Sequence, residues 1–189
     1  MSQAVIIGGG IAGMATARVL SDHFDRVISV DRDHFPTSPS FRSGTPQAHH
    51  IHVLLMEGQR LLEEMFPGLQ AELATAGAQE MDWTADCLWY GFGKWGPRFR
   101  SGLVTHFASR ALLEYTIRGR LVRLPNVQVM TGNQVTGLMA DANATRITGV
   151  RFRSREADQP EELRELRADL VVDASGRESK MPQWLQELG

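Results

Sequence analysis

Cysteine occurs only once in the 189-residue chain, at Cys87. No internal disulfide can form, so a disulfide-stapled secreted scaffold and a Cys-rich zinc module are both excluded. Net charge is also scarce. Twenty Lys and Arg against 22 Asp and Glu leave −2, which provides no basic field to gather nucleic acid or an anionic membrane. Long apolar runs are missing as well. The first, Ala4 to Ile7, has no basic segment ahead of it and is broken at once by three glycines, so it fits neither a signal sequence nor a membrane span. What is present, 42% hydrophobic and 22% charged residues, excludes disorder, collagen and coiled coil and suits a single folded domain. A soluble protein of the reducing cytoplasm is expected.

The order of elements is legible from periodicity. Ala4 to Ile7 is a continuous β-branched run, as a strand buried on both faces should be, and Val27 to Val30 is a second. Between them Ile11 to Leu20 carries a helical period. Asp33 to His50 is rich in Pro, Ser and His and reads as a long irregular loop, of a length that usually has a functional reason. Helical spacing returns from Ile51 to Phe66, ends at Pro67-Gly68, and is followed by a helix over Leu69 to Ala76. Short strands and turns are expected between Trp83 and Phe107, and Ser109 is placed to cap a helix ending before Pro125-Asn126.

Four β-like runs then follow: Val127 to Met130, Gln134 to Met139, Ile147 to Phe152 and Leu163 to Leu166. Their close spacing predicts a meander, with a solvated ribbon end of mixed charge around Pro160. A last buried strand, Leu170 to Val172, leads through DASGRES to an amphipathic segment, Trp184 to Leu188. The expectation is one α/β domain, Rossmann-like, with a parallel sheet, flanking helices and an inserted β-meander.

The most specific signal is Gly8-Gly9-Gly10-Ile11-Ala12-Gly13. Gly8, Gly10 and Gly13 satisfy G-x-G-x-x-G directly after a strand and at a helix start. Gly8 permits the tight turn, Gly10 lets a pyrophosphate approach bare backbone, and Gly13 lets helix and strand pack closely. Asp31 follows the second strand 18 residues after Gly13, near the spacing at which a carboxylate accepts hydrogen bonds from an adenosine ribose. Its charge favours a free 2′-hydroxyl over a 2′-phosphate. Arg32 is a solvated neighbour or a cation stacked on the adenine edge. The plainer alternative is a structural glycine turn beside a surface aspartate.

The motif does not separate NAD from FAD. The chain resembles the FAD-dependent oxidoreductases of the glutathione reductase fold, in particular the flavin monooxygenase branch. The resemblance runs through GGGIAGMATARVL, SVDRD, FRSGTPQAHHIHVLL, SRALLEYTIR and DLVVDASGRES. It implies FAD as cofactor, with Gly8, Gly10, Ile11, Ala12, Gly13, Asp31 and Arg32 at its pyrophosphate and ribose. It further implies Arg110 on the flavin side, Val135 at the adenine, and Asp173 to Gly176 near the phosphates. Arg42, Pro46 and Gln47 become candidates for the isoalloxazine ring. The implied activity is NAD(P)H-dependent hydroxylation or epoxidation of an apolar or aromatic small molecule, with the flavin as reagent and no catalytic side chain named. A flavin-dependent isoprenoid reductase, a halogenase and a non-catalytic nucleotide-binding module share every motif. Members of the family continue into a second half, so residues 1–189 are expected to be an FAD-binding domain incomplete at its C-terminus.

Other features carry less. His49, His50 and His52 lie too close together to converge on one ion, and no metal site is expected. Cys87 is expected to be a small buried residue, and Trp83, Trp89 and Trp95 to be strand core in preference to a substrate wall.

Overall fold

The computed structural model describes residues 1–50, 52–156 and 162–189. Two sequence expectations, a helix start at Ile51 and the ribbon end at Pro160, fall on residues outside these.

Strand β1 (Gln3–Ile7) enters the glycine turn, helix α1 (Ile11–Leu20) crosses over, and β2 (Arg26–Val30) returns parallel to β1. After the long loop come α2 (Met56–Met65) and α3 (Leu69–Thr75). The segment from Ile51 was expected to be helical throughout, but Leu55 has extended backbone and serves as the cap of α2, so the helix starts at Met56. Strands β3 (Gln79–Asp82), β4 (Tyr90–Gly91), β5 (Lys94–Trp95) and β6 (Val104–Phe107) form two small antiparallel pairs, β3 with β6 and β4 with β5. Helix α4 (Arg110–Leu121) is capped by Ser109, whose hydroxyl accepts the Leu112 N–H at 3.1 Å. The chain then runs through β7 (Val127–Met130), β8 (Asn133–Ala140), β9 (Ile147–Ser154), β10 (Arg164–Arg167), β11 (Leu170–Asp173) and α5 (Met181–Leu188).

The main sheet has the order β11-β1-β2-β7, with every neighbour pair parallel. This corrects one expectation. Val127 to Met130 does not begin the meander but forms the sheet's outer strand beside β2, and the meander proper is β10-β9-β8. Alternation along the strands feeds two cores. Ala4, Ile6 and Val27 face α1 to α4 together with Met14, Ile117 and Leu121, whereas Val5, Ile7, Ile28 and Val30 face the meander with Val135, Leu138, Val150 and Phe152. Burial on both faces accounts for the unbroken apolar runs of β1 and β2. The result is helices, parallel sheet and meander in three layers, with β1 at the point where the strand order reverses.

The tryptophan expectation fails in part. Trp89 and Trp95 are 61% and 63% exposed, on a β4–β5 hairpin that also exposes Tyr90 and Phe92. Trp83 is half-buried, and its indole N–H donates to Thr105 Oγ1 at 3.1 Å. Cys87 is half-buried and not part of the core. Among the described residues no helix is long and apolar enough to cross a membrane.

Candidate functional site

The four glycines after β1 do different things. Gly8 has φ +103°, and a Cβ there would sit 2.6 Å from the Ala174 carbonyl oxygen, so the ends of β1 and β11 meet only because position 8 is bare. A Cβ at Gly13 would overlap the Gly8 carbonyl oxygen, and one at Gly9 would overlap the Phe35 ring. At Gly9 the obstacle is a side chain, but at Gly8 and Gly13 it is main chain, so those two glycines are required by the fold itself. Gly10 is not: its φ is an ordinary −73°, and the nearest atom to an added Cβ is Arg42 Nη2 at 3.9 Å. Space is kept open over the first turn of α1, which has neither a side-chain cap nor an acidic residue. The first N–H groups of a helix lack intrahelical partners and carry the positive end of its dipole. The opening therefore suits a phosphate.

Beside it lies a buried charge cluster drawn from three segments. Asp31, at the end of β2, accepts the Gly9 N–H on Oδ2 at 2.6 Å and the Asp33 N–H on Oδ1 at 2.8 Å. A carboxylate offers about four acceptor sites, so capacity remains for ribose hydroxyls. Arg42, with a side chain 7% exposed, is enclosed by three carboxylates. Its Nη1 donates to Asp33 at 2.7 Å and stands 3.7 Å from Asp31, and its Nε donates to Glu114 at 3.2 Å. Glu114 also accepts Arg110 Nε at 2.7 Å, one turn back along α4. Phe35 lies under two guanidiniums, Arg42 at 5.1 Å and Arg118 at 4.8 Å, and Arg118 donates to the Pro36 carbonyl. These contacts dock the loop of residues 33–50 onto α4.

The protonation of the cluster follows from its contacts. Burial pushes the Arg42 pKa down, but the charges of Asp31 and Glu114 and hydrogen bonds to Asp33 and Glu114 outweigh it, so the net shift is upward. Burial pushes the Asp33 carboxyl up, and hydrogen bonds from Arg42, the Gly44 N–H and the Ser43 hydroxyl bring it below its ordinary value. A carboxylate whose folded pKa is depressed stabilises the fold fully above its unfolded value of 3.8, and that contribution fades as pH falls through the lower folded value. Asp33→Asn is accordingly expected to cost about 1 to 3 kcal/mol at pH 7. In urea titrations the deficit should shrink only below pH 3.8. A deficit independent of pH would contradict this role.

The cleft is an open space of about 280 Å³. Of the residues expected at the site, Gly8, Gly10, Ile11, Ala12, Asp31, Arg32, Arg42, Gln47, Arg110, Val135 and Gly176 line it. Three stand apart from that lining. Gly13 is packed between α1 and β1, Pro46 opens a single 3-10 turn (Pro46–His49), and Asp173 organises the turn after β11. Asp173 accepts the Ser175 N–H and the hydroxyls of Ser175 and Ser179, which together bring its pKa below the ordinary value against the opposing effect of burial. Arg32 is half-exposed at the rim, 3.9 Å from Glu178.

Sequence reasoning missed Trp184, which anchors α5 in the meander core and also lines the cleft beside Val135. It also missed Asp33 and Glu114. For Glu114 a signal was readable, since Arg110 and Glu114 stand at i and i+4 on one helix face. The histidines take local roles: His49 stacks on Phe41 with centroids 4.0 Å apart, and His52 Nδ1 donates to the His50 carbonyl. Among the described residues no group of three or more His, Cys, Asp or Glu is placed to hold a metal ion.

Comparison with known proteins agrees with this geometry. A family model described as FAD dependent oxidoreductase matches residues 3–189. Protein Rv3254 of Mycobacterium tuberculosis is 36% identical over 191 residues, which cover 98% of this chain and 40% of that protein. Among solved structures, the myxobacterial chondrochloren halogenase CndH aligns with a TM-score of 0.71 at 20% identity, over 97% of this chain and 39% of its own. The p-nitrophenol 4-monooxygenase PnpA from Pseudomonas putida DLL-E4 aligns with a TM-score of 0.69 at 18% identity, over 98% and 44%. At these identities the two structures show likeness of fold. The chain spans about two fifths of the length of each of these relatives.

Proposed function

The chain belongs to the FAD-dependent oxidoreductase family, and from that premise we propose that its cleft holds FAD with the diphosphate over Gly10. The single observation that carries this reading is the contrast among the glycines: three are closed by neighbouring atoms, and the fourth is left open above an uncapped helix start. The residues present fit the group. Main-chain N–H groups at the start of α1 hold the diphosphate, and the unbonded edge of Arg42 lies on the same side of the turn. The Asp31 carboxylate accepts from the ribose, Val135 and Trp184 offer an apolar surface to the adenine, and Arg110 and Gln47 extend toward the flavin.

The reaction we infer is oxygenation of a small apolar or aromatic molecule, with NAD(P)H as the reductant. Bound flavin supplies the electron transfer and oxygen chemistry, so the protein's own part is binding, orientation and exclusion of water. The monooxygenase character of one structural neighbour supports this reading, and no side chain is assigned a nucleophilic or acid–base step. A net charge of −2, with no excess of basic residues, supports small-molecule partners in preference to nucleic acid.

The test is a titration of FAD with the purified chain. Saturable quenching of flavin fluorescence is expected at one FAD per chain, followed by bleaching of the bound flavin on anaerobic addition of NADH or NADPH and recovery on admission of air. Absence of saturable binding contradicts the cofactor assignment. Binding without bleaching contradicts NAD(P)H as the direct reductant of flavin held by this chain.

A further inference from the structure

Glu114 is buried on α4, with a side chain 6% exposed, and does not itself line the cleft. Its two carboxylate oxygens are divided between two arginines that do. Oε1 accepts Arg110 Nε at 2.7 Å and Oε2 accepts Arg42 Nε at 3.2 Å. One arginine belongs to the first turn of the helix and the other to the long loop, so Glu114 is the joint through which both guanidiniums are set relative to the glycine turn. We propose that Glu114 is a positioning residue for the cofactor's diphosphate, holding Arg42 in the place from which its outer edge faces the glycine turn, with Arg110 as the second anchor of the same carboxylate on α4. The inference rests on the nucleotide reading of the cleft and adds to it a residue outside the cleft wall.

Two physical arguments favour positioning over stability or charge. A buried ion pair seldom stabilises a fold more than an apolar pair of the same size, so burying a glutamate between two arginines is not explained by stability alone. Charge alone gives the wrong sign. The cluster sets three carboxylates, Asp31, Asp33 and Glu114, beside the guanidiniums of Arg42, Arg110 and Arg118, and within it the negative charge of Glu114 opposes a bound anion. If Glu114 acted only as a charge, removing it would improve the site for an anion. If it acts by orientation, its removal frees two long side chains, and fixing them becomes a cost of binding. The two roles therefore predict opposite changes.

The experiment compares ADP with adenosine, two probes that differ only in the diphosphate, by calorimetric titration of the whole chain. Glu114→Gln is expected to weaken ADP about tenfold or more and to leave adenosine within about twofold. Glu114→Asp keeps the charge but shortens the reach, so it cannot serve both arginines, and it too is expected to weaken ADP selectively. An unchanged or improved ADP affinity in Glu114→Gln, wild-type behaviour of Glu114→Asp, or equal losses for ADP and adenosine overturns the proposal. If both variants lose their cooperative unfolding transition, Glu114 serves the fold and the proposal is likewise overturned. A wild-type chain that binds neither probe removes the nucleotide reading itself and this inference with it, an outcome distinct from all the others.

Discussion

Gly10→Val leaves the protein folded and abolishes dinucleotide binding. The expectation follows from a single asymmetry in the glycine turn. Position 10 has a backbone conformation open to any residue, and a Cβ placed there meets nothing closer than 3.9 Å. The unliganded fold thus has no need of glycine at this position, and thermal unfolding of the variant should stay within a few degrees of wild type, the range of a surface change of about 0.5 kcal/mol. A ligand has a different requirement. For the diphosphate to reach the main-chain N–H groups, the space that the valine side chain fills must be empty. The loss in FAD or ADP affinity should exceed about a hundredfold, close to 3 kcal/mol. The same replacement at Gly13 serves as the contrast. There the added Cβ overlaps the Gly8 carbonyl oxygen, so that variant should fail at the level of folding. If Gly10→Val bound FAD as wild type does, or if it unfolded as Gly13→Val should, the division of labour among the glycines would be wrong.

The second large effect is expected from Arg42→Met. The substitution keeps much of the side chain's length and apolar stem but removes the one guanidinium in contact with Asp31, Asp33 and Glu114. All three carboxylates have side chains less than 10% exposed. Breaking such a cluster from the cationic side leaves buried negative charge uncompensated, at a cost of about 3 to 5 kcal/mol. The structure can relieve part of that cost by releasing the loop of residues 33–50, so the variant should show both a lower unfolding free energy and faster proteolysis within the loop. The pH dependence has a definite sign. Without Arg42, burial pushes the Asp33 carboxyl up with less to oppose it, its protonation relieves the repulsion, and the deficit relative to wild type should shrink as pH is lowered through the carboxylate range. A deficit that stayed constant or grew in acid would contradict the charge argument.

The glycine turn and the acid beside it were legible in the sequence because they are local. A strand, three glycines, a helix and an acid lie within residues 4–31, and the chemistry of each is fixed by its neighbours in the chain. What the sequence did not carry depends on segments far apart. Val127 to Met130 is a short apolar run joined to β8 by only two residues, which is the spacing of a hairpin. Its partner is nevertheless β2, parallel and about a hundred residues earlier, and the turn is made by Gly132 at φ +65°. Nothing in a four-residue run distinguishes a meander strand from the outer strand of a parallel sheet. Asp33 read as one polar residue at the start of a loop, and only the folded arrangement shows that it joins the loop back to the sheet through Arg42, Ser43 and Gly44. Trp89 and Trp95 illustrate the opposite error: aromatic composition suggested core, but their hairpin projects with both rings largely exposed. Arg42 was legible as a site candidate and lines the cleft, whereas its carboxylate cage required three separate segments to be brought together.

The central claim is that the diphosphate of an adenine nucleotide rests on bare main chain at the start of α1. A crystal of the chain soaked with ADP tests it most directly. Electron density is expected with phosphate oxygens within hydrogen-bond reach of the N–H groups that follow Gly10 and with the ribose against Asp31. Density for ADP at any other surface, with the opening over Gly10 filled by a side chain, would contradict the account.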